Sequence, residues 1–249
     1  MDFELSDDQR DLAEAIRRLC QGRLPLAELR RRERTVHAVD RDGWAALGGA
    51  GVFAMTVPEA DGGLGLGLAD AAVIFEELGA GLVPGPLVAT FLAAGRIDGA
   101  ADGSAVVGVV ERPGTADRSS DVLPTVVEHL DDLDVLVVLD GSGLAVVDPT
   151  SVEATPLDGS LDPLTPLWAL SRLPAGEPLG GPTEAARWSR DGAALTAAIQ
   201  VGLARWACDR AVDYAKERHQ FGRPIGSFQA IKHLCADMVV RTEVARAAV

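Results

Sequence analysis

The chain has 249 residues, carries a formal net charge of −14, and is 47% hydrophobic but only 4% aromatic. Its acidity argues against a nucleic-acid-binding protein, because such proteins need a basic face for the phosphates. A local basic patch could still meet a small anionic ligand. The length is enough to bury a core and predicts one to three domains.

The three cysteines, Cys20, Cys208 and Cys235, are odd in number and far apart, without the close pairs of a zinc site. They predict reduced thiols and no metal centre. Residues 2–11 are acidic and polar, unlike a secretory signal, and no apolar run approaches the roughly 20 residues that span a bilayer. These features predict a soluble, cytoplasmic protein that binds neither a membrane nor a nucleic acid.

Helical patterns fill the first hundred residues. Ser6 and Gln9 have the spacing of a capping box and predict the start of the first helix. Further helices are predicted around Trp44 and over residues 69–78. The glycine-rich run 61–67 between them lacks the lysine and the Ser/Thr of a phosphate-binding loop, and therefore predicts a turn.

Arginines cluster in the N-terminal part of the chain. The cluster contains Arg17, Arg18, Arg23, Arg30, Arg31, Arg32 and Arg34. Such a cluster could suit an anion, but charged side chains on helices mostly face solvent. A solvated helix face is the favoured interpretation.

The character of the sequence changes near residue 100. Short β-branched and aliphatic runs predict strands at 106–110, 126–127, 135–139 and 144–147. The turn signal at 140–143 predicts a hairpin between the last two of them. A mainly antiparallel β module is therefore predicted to about residue 180, and the helical pattern returns from Thr183.

The segment 216–238 is the most informative part of the chain, because one predicted helix ends there and another begins. Gly222 permits a positive φ and Pro224 cannot donate a backbone hydrogen bond, so together they predict the end of the first helix. Ser227 is the predicted N-cap of the second helix.

Four side chains at this corner could hold a ligand. Arg218 has the planar guanidinium that suits a pyrophosphate, and Phe221 offers an apolar face for a stacked ring. Gln220 lies between them, and Gln229 lies in the first turn of the next helix, where its amide could reach the same ligand. From these residues alone, an ordinary helix hairpin with a solvated arginine is the favoured interpretation.

The corner closely resembles the helix-corner motif of the acyl-CoA dehydrogenase family of flavoproteins. The shared order is arginine, then Phe-Gly, Pro-Ile and Phe-Gln-Ala, here at positions 218, 221–222, 224–225 and 228–230. The N-terminal pattern from Trp44 to Gly79, with Val-Pro-Glu, Gly-Gly and Glu-Glu-Leu-Gly inside it, also resembles this family.

The resemblance implies an α+β fold that is mostly α. Its parts would be an N-terminal helical domain over residues 1–97, a middle antiparallel β-barrel-like domain over 98–182, and a C-terminal helical hairpin over 183–249. That hairpin is half of the four-helix bundle of the family, so the chain is expected to be short at its C-terminus. Its middle domain diverges from the family pattern.

The resemblance also implies the chemistry. Members of the family carry FAD and dehydrogenate an acyl-CoA thioester between its α and β carbons. Residues at the positions of Arg218, Phe221 and Gln229 contact the FAD held mainly by a neighbouring subunit, and Gln220 is assigned to the same cofactor-binding set. FAD, an acyl-CoA substrate and a homo- or hetero-oligomer are therefore expected.

Two departures from the family pattern weaken an assignment as a complete enzyme. The family's flavin loop in the middle domain is matched only weakly, by residues 111–114 within the segment 109–121. The α-proton must be taken by a positioned carboxylate, but Gly192 and Ala193 stand where some members have that glutamate. Asp191 beside them is expected to cap a helix. Most members place the glutamate at a position that would follow Val249, so no catalytic residue is assigned.

Three functions follow from these observations. The first is an acyl-CoA dehydrogenase; the second is a non-catalytic partner subunit of a heteromeric acyl-CoA dehydrogenase, which lends its corner to a shared FAD site. The third is a remnant without a ligand. In each case the apolar faces of 195–206 and 231–238 predict an association surface, because half a bundle leaves them uncovered.

Overall fold

The computed structural model describes residues 5–33, 37–112 and 125–249. The helices are α1 Asp7–Arg23, α2 Leu26–Arg32, α3 Arg41–Gly49, α4 Leu68–Ala80, α5 Leu87–Ala93, α6 Pro182–Glu217 and α7 Gln229–Arg246. The strands are β1 Val107–Glu111, β2 Val126–Glu128, β3 Val135–Asp140, β4 Gly143–Val147, β5 Glu153–Leu157, β6 Leu167–Arg172, β7 Glu177–Gly180, β8 His219–Gln220 and β9 Arg223–Pro224.

The chain divides into two compact units. The first contains Met1–Leu24, Ala72–Val83 and Ala194–Val249. The second contains Pro25–Ala71 and Pro84–Ala193.

The first unit is helical, and α1 begins where its capping box predicts. The Ser6 hydroxyl accepts a hydrogen bond from the Gln9 amide (3.1 Å), and the Gln9 side chain accepts one from the Ser6 amide (3.0 Å). These bonds satisfy two of the backbone donors that a helix start leaves free.

Glycines allow the helices α4 and α6 to meet at backbone distance within the first unit. A Cβ on Gly79 would lie 2.2 Å from the Ile199 carbonyl oxygen, and one on Gly202 would lie 2.0 Å from the Glu76 carbonyl oxygen. Any larger residue at either position would push the helices apart. Leu195 beside this crossing is fully buried.

The second unit holds the β module, which forms two open sheets. One has the strand order β1-β3-β4-β7 and the other β2-β6-β5. All pairs in them are antiparallel except β1 with β3, which run parallel. The predicted hairpin is present, because Asp140 pairs with Gly143 across the turn between β3 and β4.

Two apolar clusters form the core of the second unit. One packs Val107, Val137 and Leu139 of the larger sheet against Trp188 of α6. The other lies between the two sheets and includes Trp168. Small aliphatic side chains dominate both clusters, as the low aromatic content predicts.

The fold class predicted from the sequence, α+β and mostly α, is confirmed. The element order is also as expected, with helices up to α5, strands from β1 to β7, and helices again from α6. The domain boundaries at residues 97 and 182 stay a prediction.

Two local expectations are wrong. Asp191 does not cap a helix, because α6 begins at Pro182 and runs through this position without a break. Ser227 is not the N-cap of α7, since a 3-10 turn over Ile225–Ser227 moves the start of the helix and leaves Phe228 at the cap.

Within the described ranges, the structure has no helix of the length and apolar character needed to cross a membrane.

Candidate functional site

The corner between α6 and α7 is a tight β-hairpin. Gln220 pairs with Arg223 across a two-residue turn made by Phe221 and Gly222, and both turn residues have positive φ, 53° and 75°. Two-residue hairpins of this kind favour Asn-Gly, because both positions require the left-handed region. A phenylalanine at the first position is therefore held in a conformation that its side chain disfavours.

Aromatic and cationic side chains are stacked at this turn. The Phe221 ring is 92% exposed and meets the Phe228 ring edge to face, with centroids 6.1 Å apart. The Arg223 guanidinium lies 4.1 Å above the centroid of the Phe228 ring. Apart from this edge contact, the Phe221 ring is open to solvent.

Arg218 directly follows the last residue of α6 and is fixed through its backbone. Its amide donates to the Tyr214 carbonyl (2.8 Å), and its carbonyl accepts from the Ile225 amide (2.7 Å). The exposed guanidinium makes no ion pair with any residue that the structure describes. It is available for an anion from outside this chain.

The two glutamines of the predicted set lie on the same corner. The Gln220 side chain donates to the His219 carbonyl (2.8 Å). Gln229 is the exposed first residue of α7. The structure thus gathers Arg218, Gln220, Phe221 and Gln229 within one turn and the helix that follows it.

The position expected for a catalytic glutamate lies inside α6. A Cβ on Gly192 would lie 3.4 Å from Leu92 Cδ1 and 3.7 Å from Val88 Cγ1, so the residue faces α5. The Asp191 carboxylate accepts a hydrogen bond from the Arg190 guanidinium (3.0 Å). No carboxylate stands at positions 192 and 193.

A cavity of about 420 Å³ lies at the end of β1 in the second unit. Glu111 and Arg112 line it at the end of β1, Asp140 lines it from the β3–β4 turn, and Ser189 lines it from α6. The segment 109–121, in which residues 111–114 match the family's flavin loop only weakly, lies mostly outside the described residues, which end at Arg112 and resume at Thr125.

An ionic network in the first unit was not predicted from the sequence. Glu76 and Glu77 of α4 are buried, and three arginines pair with them: Arg17 of α1, Arg205 of α6 and Arg246 of α7. The solvated-face interpretation is therefore only partly right for Arg17, which is half exposed, and it is wrong for Arg32, which is 19% exposed and pairs with Glu28 and Asp40. A usable signal was present, because two adjacent glutamates stand in the otherwise apolar run 71–80.

The network sets the ionisation of its members. Burial raises the pKa of Glu77, but hydrogen bonds from Arg17 and Arg205 outweigh it and hold that pKa below its usual value. Burial, assisted by the negative charge of Glu77, raises the pKa of the Cys20 thiol to about 11. In the described part of the chain, no group of three or more His, Cys, Asp and Glu residues could hold a metal ion.

Comparison with known proteins matches two family models. "Acyl-CoA dehydrogenase, N-terminal domain" matches residues 6–128, and "Acyl-CoA dehydrogenase, C-terminal domain" matches residues 189–249. The chain is 36% identical to the acyl-CoA dehydrogenase IpdE2 of Mycolicibacterium smegmatis over 80% of its own length and 61% of that protein. It is 33% identical to FadE34 of Mycobacterium tuberculosis over 97% of its own length and 36% of that protein.

The fold is also found in solved structures. A "Tcur3481-Tcur3483 steroid ACAD G363A variant" shares 25% identity at a TM-score of 0.75, over 95% of this chain and 74% of that one. The ChsE4-ChsE5 complex of Mycobacterium tuberculosis, at 22% identity and a TM-score of 0.74, shares the fold over 100% of this chain and 79% of that one. The chain spans about three fifths of the length of the curated IpdE2 relatives.

Proposed function

Because the chain belongs to the acyl-CoA dehydrogenase family, we propose that it is part of a flavoprotein that dehydrogenates an acyl-CoA thioester between its α and β carbons. The observation that carries the proposal is the exposed corner. There, the Arg218 guanidinium is exposed and forms no ion pair within the described ranges, and Phe221 projects its ring from a constrained turn.

The corner residues fit one end of an FAD molecule. Arg218 would hold the pyrophosphate through charge-assisted hydrogen bonds, and Phe221 would stack on a ring. The amides of Gln220 and Gln229 would add hydrogen bonds to the same ligand. FAD held there would supply the acceptor for the hydride that leaves the β carbon, and the corner residues would orient it.

The other half of the reaction needs a base. The thioester α-proton is weakly acidic, so its removal requires a carboxylate placed beside it while hydride leaves the neighbouring carbon. Gly192 and Ala193 provide no such group, and Gly192 faces α5. Neither position 192 nor position 193 is therefore assigned as the catalytic base.

The glycine and alanine at positions 192 and 193 are compatible with a second candidate function. In a heteromeric complex, this chain would supply the corner at positions 218–229 to a shared FAD. The catalytic base and the remaining FAD contacts would come from another family member. Two similar solved structures carry paired names, Tcur3481-Tcur3483 and ChsE4-ChsE5, the second described as a complex. The cytoplasmic location predicted from the composition stays a prediction.

A flavin measurement decides between the two candidates. The chain is purified alone and after co-expression with a second member of the family, and the absorption spectrum gives the flavin bound per chain. Reduction of an artificial electron acceptor is then followed with short, long and steroid-side-chain CoA esters. Flavin and turnover that require co-expression support the partner-subunit function.

Flavin and turnover in the chain alone support the complete dehydrogenase and place a catalytic base within this chain. Absence of flavin in both preparations contradicts both functions. Where turnover is found, the ester with the highest kcat/KM identifies the acyl chain.

A further inference from the structure

We propose that Glu76 is a positioning residue for the cofactor-binding corner, because its carboxylate joins the two helices that flank that corner. The Glu76 Oε1 atom accepts a hydrogen bond from Arg205 Nη1 of α6 (2.7 Å). The Glu76 Oε2 atom accepts one from Arg246 Nε of α7 (3.1 Å). The expected effect of Glu76 on FAD binding rests on the proposed function, whereas its contacts with α6 and α7 do not.

The neighbouring Glu77 makes a different connection, which separates the roles of the two carboxylates. Glu77 accepts two hydrogen bonds from Arg17 of α1 (3.0 and 2.9 Å) and pairs with Arg205 of α6 at 2.8 Å. These contacts join α1 to α6. Of the two carboxylates, Glu76 is the one that reaches α7.

The origin of the Glu76 side chain is fixed by backbone packing. The Glu76 carbonyl oxygen lies where a Cβ on Gly202 would come within 2.0 Å, so α4 and α6 cannot slide past one another at this level. The Glu76 side chain is only 12% exposed. Its carboxylate is therefore a fixed point on which α7 can be anchored.

The helix α7 depends on such an anchor, because none of its residues is buried within the chain. At its N-terminal end, the turn before α7 is held close to α6: a Cβ on Gly226 would lie 2.8 Å from the Ala215 carbonyl oxygen. At its C-terminal end, Arg246 reaches Glu76. These two attachments set the direction of α7, and the corner lies at the joint between α6 and α7.

The test compares Glu76→Gln with Glu77→Gln, two isosteric changes on adjacent residues of one helix. Hydrogen exchange followed by mass spectrometry measures the amides of residues 219–246. Glu76→Gln is expected to speed their exchange about two- to fivefold, the range for a partly exposed ion pair. Glu77→Gln is expected to speed the exchange of amides in α1 and to leave that of residues 219–246 unchanged.

Arg246 provides a second arm. Arg246→Met should reproduce the effect of Glu76→Gln, since it removes the same contact from the other side, whereas Arg246→Lys keeps the cation and should largely restore protection. Equal exchange of residues 219–246 in the wild type, Glu76→Gln and Arg246→Met would overturn the anchor.

The cofactor readout is FAD affinity in the co-expressed complex. Glu76→Gln and Arg246→Met should each raise the Kd of FAD by a factor similar to the change in exchange, and Glu77→Gln should not. Faster exchange with an unchanged Kd overturns the positioning role and leaves the proposed function standing. If the wild-type complex binds no FAD, the proposed function fails, and the exchange of the hairpin at residues 219–224 alone decides whether Glu76 sets the corner.

Discussion

At the scale of single residues, Phe221 combines an unfavourable backbone conformation with an exposed ring. A non-glycine residue in the left-handed region costs about 1–2 kcal/mol, and a 92% exposed ring gains little from burial to offset that. Such strain is typical of residues that act on a ligand. The sequence indicated that Gly222 would have a positive φ, but it could not indicate this for Phe221, because the aromatic residue goes against the local preference.

Phe221→Asn tests whether the ring is kept for binding. Asparagine is favoured at this turn position before glycine, so we expect the free energy of unfolding to stay the same or rise by up to about 1 kcal/mol. FAD retention in the complex should fall, because the stacking face is lost. Urea denaturation and an FAD titration measure the two effects, and a variant that loses stability yet keeps its FAD would contradict the argument.

Arg218→Ala removes an exposed guanidinium that forms no ion pair in the part of the chain that the structure describes. A charge-assisted contact with a pyrophosphate predicts that the Kd of FAD rises roughly ten- to a hundredfold in the complex. Arg241→Ala is the matched control, because Arg241 is an exposed arginine of α7 that pairs with Asp237 instead. Equal FAD affinity in the two variants would remove Arg218 from the site.

Among the helices and strands, the sequence predicts those features that are formed by residues close together in the chain. The capping box of α1 and the turn of the β3–β4 hairpin are formed by residues within four positions of one another, and both are present. The parallel pairing of β1 with β3 and the α4–α6 crossing join residues far apart in the chain. Neither leaves a periodic signal, so neither was predicted.

The α4–α6 crossing predicts the effect of a methyl group. Gly202→Ala places a Cβ 2.0 Å from the Glu76 carbonyl oxygen and should lower the free energy of unfolding by about 1–3 kcal/mol, because the backbones must separate. Gly22→Ala is the control, since nothing lies within 4 Å of its Cβ position in α1. That change should be stabilising by up to about 1 kcal/mol, and thermal or urea denaturation compares them.

The Glu77 network predicts a dependence of stability on pH. The pKa of Glu77 is lowered in the folded protein, so its contribution is complete above the unfolded pKa of about 4.3 and is lost as the pH falls through the folded value. Glu77→Gln should lower the free energy of unfolding by about 1–3 kcal/mol at pH 7, given the partial exposure of Arg17.

The difference between wild type and Glu77→Gln should shrink as the pH falls from 4.5 towards 3.5. Urea denaturation at pH 7, 4.5 and 3.5 measures it. A difference that grows on acidification would mean that the pKa of Glu77 is raised in the folded state, and that burial outweighs the two arginines.

The acidic charge of the protein and its apolar surface have opposite effects on association between copies. A net charge of −14 favours solubility and resists association. The helix α7 nevertheless exposes apolar side chains along its length, and Leu234, Val239, Val240 and Val244 are between 45% and 66% exposed. The apolar face of 231–238 predicted from the sequence is part of this surface, whereas Leu195 of the other predicted face is buried.

We expect the purified chain to associate with a second copy of itself through α7. Burying two valines at an interface contributes roughly 1 kcal/mol or more for each to the free energy of association. Repulsion between the net charges of two copies weakens association but does not determine which surfaces meet. Val240→Gln with Val244→Gln should therefore lower the association constant about tenfold or more without a change in charge. Leu157→Gln with Leu161→Gln, two exposed leucines of the second unit, is the control and should leave association unchanged.

Sedimentation velocity over a range of concentrations measures both pairs of substitutions, and circular dichroism checks that the helices persist. High salt should strengthen association of the wild type, because it screens the repulsion between acidic copies. A wild type that stays monomeric at every concentration and salt level would show that the apolar side chains of α7 are not an association surface for this chain. An equal loss in the control would place the contact in the second unit.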